Sequence, residues 1–284
     1  MAHLLNKIMP EPNFGPEKPP KKEVERRELQ EAKEILKEDF LGPEAVEKAF
    51  GIKLSPEEIP EIPFSKEDLE KAKELGQFLI LRADKAPDGE PLTMKKMDEL
   101  LQPTFNKENE GKILFNTDWY ENEDFSTKET PQARWSLVSK EAIPDSLDKN
   151  YLEQTETLVE YIEKNIDSDT IPEYSEAIKK FNDQKEEIKK LIRSDWKKAA
   201  EKLVELKINK LTRQTPAEVL YDILIYKQNN GKRLLENRHT WTSRRDSSGR
   251  LVRVGPFNSE GVWVSAWGPG RRDSELGFLF SRSV

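Results

Sequence analysis

The stretch that decides the fold is Arg238–Val284, RHTWTSRRDSSGRLVRVGPFNSEGVWVSAWGPGRRDSELGFLFSRSV. Its short runs RHTWTS, GRLVRVGPF, GVWVSAW and LGFLFSRS are separated by turn residues at Ser248-Gly249, Glu260-Gly261 and Gly268–Gly270. That spacing predicts a small antiparallel sheet. Composition sets the stretch apart as well. It holds eight Arg, no Lys and four acidic residues, a net of +4, whereas the whole chain carries −7. Six of the 13 glycines and three of the six tryptophans also lie in it. A Lys/Glu-rich helical body therefore gives way to an Arg/Gly/Trp/Ser module.

Upstream, the periodicity is mostly helical. Residues 1–22, with Pro10, Pro12, Pro16, Pro19 and Pro20, read as a disordered tail. Residues 23–63 read as a helical segment and connector: a helix over 23–41, a second over 44–50, then an extended stretch around Pro56, Pro60 and Pro63. Ser65 followed by Asp68 is an N-cap signature, and Thr93 and Thr215-Pro216 are two more. QFLILRAD and RWSLVS read as strands, expected to join the C-terminal sheet. A helical insert is expected over about 150–211. Within it, residues 172–211 lack glycine and internal proline, which suggests one long helix or a helical hairpin; the absence of a clean heptad favours a solvated strut with one buried face over a dimerising coiled coil.

Several chemistries are excluded or disfavoured. The chain has no cysteine, which removes thiol catalysis, disulfides and Cys-ligated metals. It has two histidines, His3 and His239, too few for a His-rich metal site or a conventional catalytic pair, so neither metal nor cofactor is expected. GPGRR at 268–272 has neither the spacing nor the following Lys-Ser/Thr of a phosphate loop. No run approaches the roughly 20 apolar residues of a membrane helix. The opening residues lack the apolar core of a secretory signal, so a soluble, cytoplasmic protein is expected.

What remains is a cluster of arginines in or beside turns, interleaved with Trp263 and Trp267. Arginine with tryptophan serves protein hot spots, and it serves phosphate contact with base stacking too. The missing lysines and the interrupting Asp246, Asp273 and Glu275 favour protein or ligand recognition over nucleic acid.

At these residues the sequence resembles a known family. WTSRRDSSGRLVRVGPFNSEGVWVSAWGPGRRDSELGFLFSR, residues 241–282, is similar to the last part of bacterial C-type-lectin-like domains, and more narrowly to the target (variable) proteins of diversity-generating retroelements. Trp241, Thr242 and Ser243 match the entering strand; Gly277, Phe278, Phe280 and Arg282 match the closing one. Val254, Gly255, Gly261, Val264 and Trp267 look like framework. The resemblance implies an α+β protein, a C-type-lectin-like domain with long helices over 64–284, preceded by the small helical segment. It implies a non-enzymatic ligand-binding display protein, its surface diversified by rewriting adenine-templated codons, with a protein as the expected ligand.

The implied ligand-binding set is Arg244, Arg245, Asp246, Arg250, Arg253, Asn258, Trp263, Ser265, Trp267, Arg271, Arg272 and Asp273, with Pro256, Glu260 and Glu275 as further display positions. Asn-type template codons yield Arg, Ser, Asp, Gly, Asn or Pro but not Trp or Glu, so Trp263, Glu260 and Glu275 are fixed or encoded differently. The calcium-binding motifs of animal sugar-binding lectins are missing. An enzyme on a formylglycine-generating-oxidase-like fold, the rival on the same architecture, relies on paired cysteines that this chain lacks.

Overall fold

The computed structural model describes residues 21–166 and 171–283. The tail expected over 1–22 lies, up to residue 20, outside the described residues. Helix α1 (Lys21–Leu36) is followed by a single 3-10 turn, strand β1 (Phe40–Leu41) and helix α2 (Pro43–Phe50). The first helix thus stops short of the expected Leu41, and Gly42-Pro43 opens α2 rather than closing α1. Next come α3 (Lys66–Glu74), β2 (Gln77–Leu81), α4 (Met94–Glu108), β3 (Leu114–Phe115), the short α5 (Asp124–Thr127) and β4 (Trp135–Ser139). Helices α6 (Tyr151–Asn165), α7 (Pro172–Ser194), α8 (Trp196–Glu205), α9 (Lys207–Thr212) and α10 (Pro216–Asn230) fill the middle. Strands β5 (His239–Arg245), β6 (Leu251–Asn258), β7 (Gly261–Trp267), β8 (Leu276–Gly277) and β9 (Ser281–Arg282) complete the described chain. The protein is α+β.

The strands form two sheets. In order β3-β7-β6-β5-β8, the first has an antiparallel β5-β6-β7 centre and parallel edges. The second runs β1-β2-β4-β9, with β1 parallel to β2 and the other pairs antiparallel. The strands expected to join the C-terminal sheet therefore build a sheet of their own, and only β9 links them to the C-terminal stretch. Leu137 opposes Arg282 in that pairing. All five residues of β2 and all five of β4 are buried, so neither strand offers the one-sided alternation from which a pairing partner can be read.

Two apolar cores result. One gathers Val46, Phe50, Phe78, Ile80, Phe105, Trp135, Leu220, Leu224, Val254, Phe257 and Val264, and takes in residues of α1 and α2. The other gathers Tyr151, Leu158, Phe181, Leu203, Trp241, Leu251, Phe278 and Phe280 between the insert and the opposite face of the first sheet. Burial of each such large side chain contributes roughly 1.5–3 kcal/mol.

The insert folds back on itself, so of the two arrangements left open, one long helix or a hairpin, the hairpin is the one formed, and it is no single strut. Asp195 leaves the helical region and caps α8, its carboxylate accepting from the Lys198 N–H at 3.1 Å, and Leu206 makes a second break. The reason is apolar placement. Tyr174, Ala177, Ile178, Phe181 and Ile188 on α7, and Ala199, Ala200, Leu203 and Val204 on α8, bury against shared neighbours only if the chain reverses.

The capping signatures at Ser65, Thr93 and Thr215 hold, Thr93 accepting from the Lys96 N–H at 3.2 Å, and Asn150 adds a cap beyond the expected ones. Ser65, Asn150 and Thr215 each form a reciprocal capping box with the third helical residue, Asp68, Glu153 and Glu218. Replacing Thr215 by Ala removes an acceptor 3.2 Å from the Glu218 N–H. The expected loss is about 1 kcal/mol of unfolding free energy, read from the urea midpoint at constant m-value.

Candidate functional site

Strand β7 alternates cleanly. Val262, Val264 and Ala266 are buried, while Trp263, Ser265 and Trp267 are half-exposed on the other face. Cross-strand register carries that open face onto β6 and β5, since Arg253 opposes Ser265 and Trp241 opposes Arg253. His239 shares it by its two-residue offset from Trp241. Part of this face is roofed by the helical insert, which buries Trp241 and Leu251. The remainder, around Trp263, Ser265, Trp267 and Arg253, lies beside the Gly268–Asp273 loop.

Helix α6 and the turn that precedes it anchor that loop. The Tyr151 N–H donates to Pro269 O at 3.2 Å and the Asp148 N–H to Asp273 O at 3.0 Å, while Arg272 pairs with Glu153. Gln154 reaches through to Leu276 O at 2.9 Å. At the other end of the face, a register shift between Val254 and Phe257 needs Gly255, whose φ is +108°. A Cβ there would stand 2.2 Å from Arg238 O.

The candidate residues divide into groups. Arg244, Arg245 and Arg250 sit around the β5–β6 turn. Arg253, Trp263, Ser265, Trp267, Arg271, Arg272 and Asp273 belong to the open face and its loop. Asn258 lies at the far turn of the β6–β7 hairpin, apart from both, where its Oδ1 accepts from the Glu260 N–H at 2.9 Å.

Two members of the set are not surface residues. Asp246 is 6% exposed and organises the β5–β6 turn, accepting from Arg250 N at 2.8 Å, Arg250 Nε at 2.8 Å and Ser248 Oγ at 2.7 Å. A carboxylate so fully engaged is a turn residue. Arg253 is 7% exposed, and it lies at the base of the open face rather than at its rim.

The cluster's charges are largely matched within the chain. Arg244 meets Glu129 at 2.7 Å, Arg245 meets Glu201 at 3.8 Å, Arg250 meets Asp246 at 2.8 Å, and Arg272 meets Glu153. Among the described residues, Arg253 and Arg271 have no carboxylate within ion-pair distance. Both guanidiniums lie over the Trp267 ring, at 3.3 Å and 4.6 Å from its centroid. Burial, the largest cause, lowers Arg253 to about 10, with Asp273 and Glu275 raising it and Arg271 lowering it. Burial and then the Arg253 charge push His239 down to about 4, so its imidazole is neutral.

Three contributors to this region carry no signal in the linear sequence. Trp196, 38% exposed at the start of α8, is the large apolar side chain left open among the described residues. With Trp267 and the Gly268–Arg271 turn it lines a groove of about 510 Å³. Phe115 of β3 stacks on Trp263 at 4.0 Å, and the Trp119 indole N–H donates to Val264 O at 3.1 Å.

A larger cavity of about 1120 Å³ lies elsewhere, between the 139–147 and 232–238 segments. Its Lys140 is raised overall by its ion pair with Asp39, though burial is the largest effect and opposes it. No group of three His, Cys, Asp or Glu among the described residues is placed to hold a metal ion. No helix among them is long and apolar enough to cross a membrane. Comparisons with protein-family models, curated proteins and solved structures return no match.

Proposed function

We propose that the protein is a ligand-binding display protein: a C-type-lectin-like scaffold of the kind diversified by a retroelement, recognising protein targets. The observation that carries this reading is the segregation of framework from display positions along the same strands. Trp241, Val254, Val264, Gly277, Phe278 and Phe280 are buried, whereas the display positions Trp263 and Ser265 alternate with buried neighbours and keep access to solvent, as Trp267 does; Asp246 and Arg253 are the buried exceptions. The terminal β9 closes onto β4, so the exchangeable stretch is clamped at both ends by packed sheet. Such an arrangement lets surface residues change without altering the core that positions them.

A nucleic-acid reading draws little from this surface. A phosphate at Arg244, Arg245, Arg250 or Arg272 would compete with Glu129, Glu201, Asp246 or Glu153 for an arginine already paired within the chain, which leaves Arg253 and Arg271 alone of this set without such a competitor.

The decisive genetic test is the gene's surroundings. An imperfect repeat of its 3′ end, differing at adenines and adjoining a reverse transcriptase gene, is expected; without it the retroelement component of the reading falls. The protein itself offers a second check. Arg271→Ser and Arg272→Ser should each shift the unfolding free energy by no more than about 0.5 kcal/mol, because Arg271 has no ion pair among the described residues to lose and Arg272 gives up a half-exposed one. Losses of core size at these positions would sink the display assignment.

A further inference from the structure

Arg253 is only partly satisfied by its surroundings. Its Nε donates to Ser265 Oγ at 2.7 Å, but its Nη1 is buried with no hydrogen-bond partner. A guanidinium stays charged at neutral pH, so a buried N–H without an acceptor leaves desolvation uncompensated. Stacking on Trp267 offsets part of that cost and leaves the hydrogen-bonding capacity unused. Arg271, over the same ring, adds a second cation that repels the first.

We infer that Arg253, Trp267 and Arg271 form a receptor for a single carboxylate of a protein ligand, an Asp or Glu side chain carried beside an apolar residue that lies against Trp196. This rests on the display reading and specifies the chemistry of its partner.

Three features select that ligand. The Asp273 and Glu275 carboxylates act on Arg253 at longer range and oppose the effect of Arg271 there. A monoanion is accepted there, while a phosphate dianion or a polyanion meets two carboxylates. A carboxylate is also planar, and it matches the fork of a guanidinium with two acceptor oxygens. Finally, Arg271 and Trp267, which Arg253 backs through its stacking on the same ring, line the roughly 510 Å³ groove that ends at the exposed Trp196. A small free acid would fill one end of the groove; an acidic side chain next to an apolar one fills both. Pairing an aromatic platform with arginine is the composition of interface hot spots.

The test uses the full chain and NMR signals of the tryptophan indole and arginine Nε–H groups. The probes are N-acetyl-glutamyl-leucinamide, its glutaminyl counterpart and inorganic phosphate. Saturable shifts of the Trp267, Trp196 and Arg253 signals by the glutamyl peptide are expected, with the buried Trp135 signal unmoved. The glutaminyl peptide should bind at least about tenfold more weakly, the scale of one charge-assisted hydrogen bond. Arg271→Gln, an exposed change that gives up a stacking contact on Trp267 and no ion pair, should weaken the glutamyl peptide several-fold and the glutaminyl peptide little. Arg253→Gln should abolish the difference between the peptides, and the distant Lys53→Gln should change nothing.

Equal binding of the two peptides, binding of phosphate as tight as the glutamyl peptide, or an unaltered Arg271→Gln would overturn the inference. So would shifts confined to other tryptophans. The gene's surroundings test the display reading separately. Failure of the peptide beside an adenine-differing repeat removes the carboxylate receptor alone, and peptide binding without such a repeat removes the retroelement alone.

Discussion

Asp222→Ala should destabilise the protein by about 3–5 kcal/mol, the cost of leaving a buried arginine without its principal counter-charge. Asp222 lies on α10, and both it and Arg82, just after β2, are 1% exposed. Arg82 donates to both Asp222 oxygens, Nε to Oδ1 at 2.9 Å and Nη2 to Oδ2 at 2.6 Å. Its Nη1 stands 3.2 Å from Glu218, and Gln214 donates to Asp222 Oδ2 at 2.6 Å. Tyr221 completes the junction, giving its hydroxyl proton to Leu81 O and accepting from the Ala83 N–H.

The network thus fastens the central helix to the second sheet and, through Ser281, to β9. Burial lowers the Arg82 pKa, but the Asp222 and Glu218 charges outweigh burial and leave it raised. The carboxyl of Asp222 is pushed up by burial, with Arg82 partly offsetting. One carboxylate removed leaves Glu218 facing Arg82 alone, and Glu218 is already committed to the Thr215 capping box.

Arg82→Met combined with Asp222→Leu should recover much of the loss, because it removes both charges from the interior together. Urea unfolding of the single and double variants gives the coupling directly. A single-variant loss below about 1 kcal/mol would mean that water reaches the pair, and the junction would then not hold the sheets.

How far this architecture can be read from the chain depends on whether the signal is local. Ser65 and Thr215 form their capping boxes within four residues and Thr93 caps locally too, so those helix starts are legible. The alternation of β7 is equally local, and the order of residues alone places Trp263, Ser265 and Trp267 on one face. Partnership across the chain is another matter. Arg244 is neutralised by Glu129 and Arg245 by Glu201, residues on other elements whose approach depends on the whole fold. The cluster therefore reads as a free cationic patch when it is mostly a paired one.

Arg253 shows the same limit in reverse. An arginine between Val252 and Val254 reads as outward-facing, and it does face away from the first core, but Trp267, stacked on its guanidinium, covers it from that side. The insert itself misleads because Asp195 ends a helix without glycine or proline, through its cap and the apolar faces on either side.

Lowering the pH from 7 to 5 should cost the protein about 2 kcal/mol through one residue, His239. Its ring is buried at the start of β5, where its backbone N–H donates to Glu275 O at 2.8 Å. The ring Nδ1 has no hydrogen-bond partner. Burial is the main cause of its low pKa and the Arg253 cation the second; a hydrogen bond with the Gly255 backbone and the Asp273 carboxylate pull the other way without prevailing. The folded value of about 4 lies well below the ordinary 6.5.

Above pH 6.5 both states are neutral, and the full stability is present. As the pH falls from 6.5 towards 4, the unfolded chain takes up a proton that the native state refuses, so unfolding becomes easier. Each pH unit in that window is worth about 1.4 kcal/mol, and the whole of it about 3. Carboxylates held low by their partners, such as Glu110 beside Lys227 and Glu176 beside Lys180, contribute mainly below about pH 5 and leave the upper half of the window to histidine. His239→Gln keeps an amide donor for the Gly255 carbonyl and has nothing to titrate; His3, the other histidine, is common to both proteins and cancels. Urea unfolding at pH 7, 6 and 5 should show the two proteins converging as the pH falls, with the variant nearly flat. Parallel curves would mean that the imidazole takes up its proton in the folded state as readily as in water. The open face would then be wet to the depth of β5, and Arg253 beside it would be hydrated rather than waiting for a carboxylate.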